Sequence, residues 1–215
     1  MKKHFAFLLI LILSIIHYGC TCNQLINLRE AKDSVKDYYD SGKYGEEMDN
    51  IFNDAKDQIS NIEIKKNSAV IFDVDDTALS NYEISKKLDF GYDYTIVQDW
   101  VMSAKLPAIK QTKDFYDFLK SKNIKRIFLT SRNFDEYDAT YKNLIDQGYT
   151  GFDTLIVRSK LDKDLGSQNF KTKERENLTK AGYEIIATVG DQWTDLNGGF
   201  SGIKIKVPNY LYKVK

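Results

Sequence analysis

The sequence predicts an α/β domain, a mostly parallel sheet with helices on both faces and a small, mainly helical cap. Three observations carry this. Apolar runs at 69–73, 126–130, 154–158 and 185–191 alternate with stretches of helical periodicity, and strands separated by helices pair in parallel with both faces covered. The runs are continuous, as in strands buried on both faces. One interval, 77–110, is too long for an ordinary strand-to-helix connection and reads as an insertion over the sheet edge. With 215 residues, 42% of them hydrophobic, the chain can bury one sizeable core.

The elements follow in order. "MKK", the apolar "FAFLLILILSII" and "HYGC" open the chain, the pattern of a secretory signal over 1–19. The apolar run is shorter than the ~20 residues that cross a bilayer. Gly19-Cys20 resembles the lipobox of bacterial lipoproteins, although His17 and Tyr18 replace the usual Leu and small residue. That resemblance implies a lipid on Cys20, a tether over 20–30 and a place outside the cytoplasm on a bacterial membrane, periplasmic or at the cell surface; with no repeat or low-complexity linker, 31–215 reads as a single domain. Secretion with cleavage nearby is the alternative. Both cysteines, Cys20 and Cys22, lie in this segment, so the domain has no disulfide.

From 23 to 61 apolar residues recur at helical spacing, Val35, Tyr38 and Tyr39 and then Met48, Ile51, Phe52, Ala55 and Ile59. Two amphipathic helices, parted at Gly42 and Gly45, are expected to cover the core, and with the insertion (about 31–61 and 78–110) they make the cap. Helices are predicted over 112–122, 135–147 and 171–181, the last two capped by Gly148 and Gly182. "IKIKV" at 203–207 alternates, as a half-exposed edge strand does.

Lys and Arg balance Asp and Glu at 31 each, and without residues 1–19 there are 29 bases against 31 acids, so no nucleic-acid polymer is indicated as a partner. The charge is instead placed locally. Asp73, Thr130, Arg158 and Asp191 end the four buried runs, and ligands of open parallel sheets bind beyond the strands' carboxyl ends. Asp73 and Asp75, two residues apart in extended chain, point the same way. Asp76 points elsewhere and suits a cap on the next segment. Joined by Asp191 and Asp195, these acids repel unless a cation sits among them. Oxygen donors without histidine or thiolate favour Mg²⁺ over zinc. Lys171, Lys173 and Arg175 supply positive charge, Thr130 a hydroxyl, and a helix after Ser131 backbone amides for an anion. Acids, Mg²⁺, a lysine and a hydroxyl describe a phosphate site with a carboxylate nucleophile.

The strings "DVDDT", "FLTSR", "FKTKER" and "GDQWTDL", in that order, resemble the four motifs of the haloacid dehalogenase-like phosphatases, whose sheet is Rossmann-like. With "DVDDTALSN" and "KVPNYLY" the likeness is to the branch of plant acid phosphatases, vegetative storage proteins and bacterial lipoprotein acid phosphatases, over about 69–212. It implies that Asp73 attacks phosphorus and that Asp75 protonates the leaving oxygen and later deprotonates water. It also implies that Mg²⁺ is held by the side chains of Asp73 and Asp191 and the backbone carbonyl of Asp75, with Asp195 acting through a bound water. Thr130 and Lys171 would hold phosphoryl oxygens.

The substrate so implied is a small phosphomonoester, a nucleoside 5′-monophosphate first. Tyr92 or Trp100 and Tyr210 or Tyr212 are the candidates to stack a base. Arg132 and Arg158 read first as structural ion-pair partners and second as substrate contacts, and Trp193 as packed. The resulting expectation is a Mg²⁺-dependent acid phosphatase working through an aspartyl phosphate. A non-catalytic surface-binding lipoprotein and a phosphotransferase with the same residues are the alternatives.

Overall fold

A computed structural model describes residues 25–214. The signal segment and Cys20 lie outside the described residues. Five parallel strands, β1 (Ser68–Phe72), β2 (Lys125–Asn133), β3 (Thr154–Arg158), β4 (Glu184–Gly190) and β5 (Ile203–Lys206), form one sheet in the order β3-β2-β1-β4-β5. The helices are α1 (Leu28–Asp40), α2 (Lys43–Ser60), α3 (Tyr82–Lys87), α4 (Tyr94–Met102), α5 (Lys110–Ser121), α6 (Tyr137–Asp146), α7 (Ser167–Lys180) and α8 (Trp193–Leu196).

The period of two along β1 sorts the core. Val70 and Phe72 pack with Phe52 of α2, Phe115 and Leu119 of α5 and Leu144 of α6. Ala69 and Ile71 pack on the other side with Phe170 and Leu178 of α7. Both faces are therefore covered, and every residue of β1 is buried. The chain adds β2 and β3 to one side of β1, then crosses under α7 to add β4 and β5 on the other. Helices on opposite faces for opposite directions of travel are what right-handed crossovers require. The reversal falls between β1 and β4, so the ends of those two strands frame the crevice of the sheet.

The predicted insertion is real and has a stalk. The Ser80 N–H donates to the Pro107 carbonyl and the Ile109 N–H to the Ala78 carbonyl, each at 2.9 Å. The excursion between them carries α3 and α4. Helix α1 leans on it: Tyr39 stacks on Tyr82 at 4.5 Å between ring centroids, and Tyr82 Oη donates to Asp40 at 2.9 Å. Among the described residues no helix is long and apolar enough to cross a membrane.

Several details differ from the sequence expectation. Gly42, at φ 92°, parts α1 from α2, whereas Gly45 lies inside α2. The run at 154–158 is the outer strand β3 and mostly half-buried, because apolar content reports burial on the faces and not an unpaired edge. β2 stays extended to Asn133, so no helix follows Ser131 directly; a 3-10 turn over Phe134–Glu136 precedes α6. α7 begins at Ser167, four residues before 171, since its polar first turn carries no periodic signal. The two C-caps hold: Tyr149 and Gly148 donate back to Leu144 and Ile145 at 2.9 Å each, and Gly182 and Tyr183 repeat the pattern on α7.

Candidate active site

Asp73 extends β1 by one residue, its N–H bonded to the Val189 carbonyl of β4 at 3.0 Å. Asp191 follows β4 directly, and pairing β1 beside β4 therefore sets the two acids side by side. Thr77 locks them: its hydroxyl donates to Asp191 Oδ1 at 3.2 Å and accepts the Asp191 N–H at 3.0 Å. Sequence reasoning quoted this threonine within its motif and assigned it no role. Asp195 closes the group, one oxygen from each of Asp73, Asp191 and Asp195 lying within 4.8 Å of the others. Its approach requires Gly190, because a Cβ there would meet the Asp195 Cβ at 2.5 Å.

Lys171, one turn into α7 and 3% exposed, donates to Asp73 and, at 2.7 Å, to Asp195. Burial acts against its ammonium, but the carboxylates of Asp195 and Asp73 outweigh that and hold it charged above the usual lysine range. Lys173 instead pairs with Asp162 at 2.6 Å. Arg175 turns to the main-chain carbonyls of Asp195, Asn197 and Gly199; it shapes the loop after Asp191 and is not a ligand cation.

Asp75 is gripped from two sides. Arg132 Nε donates to its Oδ2 at 2.9 Å and Nη2 to its Oδ1 at 2.7 Å, while Asn81 Nδ2 reaches Oδ1 at 3.0 Å. Burial pushes its carboxyl up, yet Arg132, by charge and by hydrogen bond, brings it below the ordinary value. Arg132 also donates to Thr140 at 3.0 Å, so its guanidinium orients Asp75, the first of its two expected roles. Asp76 turns away as expected. Its Oδ1 accepts the Asn81 N–H at 2.8 Å at the head of α3, and burial lifts its pKa to about 7.

Burial likewise raises Asp73 well above the carboxylate range, against the pull of Lys171 and with the push of Asp195 and Asp191. Asp191 is raised to about 7, by burial and then by Asp195 and Asp76. Five acids (Asp73, Asp75, Glu136, Asp191 and Asp195) line the cavity against two cations, Lys171 and Arg132, a formal excess of three negative charges. The residues from 25 to 214 include no histidine or cysteine. An all-oxygen donor set with that charge excess fits a hard divalent cation.

Above the floor lies a cavity of about 640 Å³, the size of a small-molecule site. Thr130, 1% exposed, lines it; its oxygen accepts the Arg132 N–H at 3.2 Å, which leaves the O–H free to donate. The insertion forms the upper wall with Leu88, Phe90, Tyr92, Tyr94, Val97 and Val101, and the chain end adds Leu211, Tyr212 and Val214. Of the four candidate aromatics, Tyr92 and Tyr212 line the cavity. Trp100 does not: Tyr94, Val97 and Val101 share the cavity face of α4, and Trp100 lies off it, packed on the core. Nor does Tyr210, whose ring sits edge-on to Tyr38 at 4.8 Å. Arg158 is outside too, donating to the carbonyls of Asp162 and Leu165. Trp193, expected to be packed, is 56% exposed.

A doubly covered parallel sheet with a buried acid cluster at its switch point is the arrangement that the four motifs of the haloacid dehalogenase-like class imply. The family model described as HAD superfamily, subfamily IIIB (acid phosphatase) matches residues 14–215, and the chain belongs to that family. It is a phosphomonoesterase by that membership. Curated relatives include the stem 28 kDa glycoprotein of Glycine max, 31% identical over 86% of this chain and 76% of its own length. Acid phosphatase 1 of Solanum lycopersicum is 27% identical over 86% of this chain and 75% of its own. Among solved structures, the class C acid phosphatase from Bacillus anthracis superposes with a TM-score of 0.70 at 21% identity, covering 86% of this chain and 85% of that one; the likeness is one of fold.

Proposed function

We propose that this acid phosphatase hydrolyses nucleoside 5′-monophosphates and related small phosphomonoesters with Mg²⁺, through an aspartyl phosphate on Asp73. The observation that carries the reading is the single floor shared by Asp73, Asp191, Asp195 and Lys171, with Asp75 held beside it by Arg132. Asp73 and Asp191 and the main-chain carbonyl of Asp75 would hold the cation, Asp195 through a water. Bound there, Mg²⁺ would offset the repulsion between a carboxylate and a phosphate dianion.

This chain's own groups do the rest. The Asp73 carboxylate attacks phosphorus, the bond from phosphorus to the ester oxygen breaks, and that oxygen takes a proton from the Asp75 carboxyl, a form that its lowered pKa confines to acid. Asp75, now ionised, removes a proton from water; the hydroxide formed displaces Asp73 and releases inorganic phosphate. Lys171 and the Thr130 hydroxyl face phosphoryl oxygens from the floor. The apolar upper wall with Tyr92, and Tyr212 from the chain end, suits an aromatic leaving group such as a nucleoside.

Phosphate release from a panel of nucleotides, sugar phosphates and aryl phosphates tests this. Activity lost with chelator and with Asp73→Asn supports it; turnover that survives Asp73→Asn would refute the covalent route. The N-terminal pattern supports a lipid anchor on Cys20 outside the cytoplasm, checked by the mass of the mature N-terminus and by its change in Cys20→Ser.

A further inference from the structure

Two side-chain amides meet on one oxygen of Asp191. Asn209 Nδ2 donates to Asp191 Oδ2 at 2.6 Å, and Gln192 Nε2 donates to the same atom at 2.7 Å. Both carbonyl ends turn to the last residues of the chain. Asn209 Oδ1 accepts the Leu211 N–H at 2.7 Å, and Gln192 Oε1 accepts the Val214 N–H at 3.1 Å. Leu211, Tyr212 and Val214 are wall of the active cavity. One pair of amides is thus bonded to the acid cluster at one end and to the leaving-group wall at the other.

The surroundings hold this linkage from both sides. Before it, the Val207 N–H bonds to the Gly190 carbonyl at 3.0 Å, which continues the β4–β5 pairing one residue past β5. Beyond it, the Tyr210 ring stands edge-on against Tyr38 of α1. A side-chain amide offers a donor and an acceptor without charge on one short rigid plane. A carboxylate at 209 would add to the negative excess, and an apolar side chain would leave Oδ2 of a buried acid short of a donor.

We propose that Asn209, seconded by Gln192, is a positioning residue that couples cation affinity to the shape of the leaving-group wall. It orients Asp191 for the cation and, through the same side chain, seats Leu211 and Tyr212 against the substrate. The inference rests on the phosphatase reading above. Partners of metal ligands are commonly worth about 10–100-fold in metal affinity, and here the same substitution also disturbs the wall.

The test titrates Mg²⁺ calorimetrically, without substrate, into the full chain as wild type, Asn209→Leu and Tyr212→Ala, and measures KM for 4-nitrophenyl phosphate and for glycerol phosphate. Asn209→Leu is expected to weaken Mg²⁺ about 10-fold or more and to raise KM for the aryl ester more than for the glycerol ester. Tyr212→Ala is expected to raise the aryl KM while the Mg²⁺ affinity stays at the wild-type value. If Asn209→Leu does not fold, Gln192→Met removes the parallel amide and is read the same way. Wild-type Mg²⁺ affinity in the amide variant, or weakened Mg²⁺ with both KM values unchanged, overturns the coupling. A wild-type chain that neither binds Mg²⁺ nor releases phosphate overturns instead the function on which the coupling rests.

Discussion

Raising the pH of the metal-free protein from 5 to 8 should lower its melting temperature. Asp191 is lifted from 3.8 to about 7 in the folded chain, and Asp73 and Asp76 move the same way. A carboxyl raised on folding is protonated in the folded state where the unfolded chain has already ionised. Its penalty is small in acid, grows as pH rises, and is complete once the pH passes the folded value near 7. For Asp191 alone the change between pH 5 and 8 is roughly 2–3 kcal/mol. At about 2–4 °C per kcal/mol for a chain of this size, the drop is roughly 5–10 °C.

Opposing groups act elsewhere. Asp75 and Asp162 have lowered pKa values, so their contribution is present above the ordinary carboxylate range and lost only in stronger acid. Lys171 is raised and titrates above the window. Both histidines, His4 and His17, fall in the N-terminal segment. Thermal unfolding followed by circular dichroism in chelator and then in excess Mg²⁺ reads the effect, and Mg²⁺ should stabilise more at pH 8 than at pH 5. A higher melting temperature at pH 8 in chelator, or the same Mg²⁺ increment at both pH values, would refute the reasoning.

Further outcomes follow from single contacts. Asp73→Asn should cut phosphate release by roughly 10³-fold or more, as loss of a nucleophile does, measured by steady-state phosphate release. Arg132→Met strands Asp75 without its bidentate partner; breaking such a pair costs about 3–5 kcal/mol, and the alkaline limb of the pH–rate profile, set by ionisation of the Asp75 general acid, should move to higher pH. Gly190→Ala drives a methyl into Asp195 at the 2.5 Å approach, so stability should fall by about 1–3 kcal/mol, with weaker Mg²⁺ binding by calorimetry.

Much of this could be read along the chain. The five strands fall where apolar runs lie between helical patterns, and the closing glycines mark real C-caps at Gly148 and Gly182. Those signals are local: periodicity and cap chemistry act within a few residues, so they survive in one dimension. The acids Asp73 and Asp191 are likewise legible as the ends of apolar runs, and the order of four short motifs adds Asp195 and Lys171 to them.

What the residues could not disclose alone is which of several equal candidates faces the cavity. Trp100 and Tyr92 are both insertion aromatics; the roll of α4 turned Trp100 to the core, and the loop before α4 set Tyr92 on the cavity. Arg132 became the keeper of Asp75 because β2 runs extended past Ser131, beyond the end of its pairing with β1. Asn209, Gln192 and Thr77 carried no charge and no periodic signal; they matter because parallel pairing brings the ends of β1, β4 and β5 together. Composition and local pattern determined the elements and the chemistry on offer. Tertiary packing decided which side chains share the floor, since strand order and helix roll arise from burying the whole core at once and no short stretch encodes them.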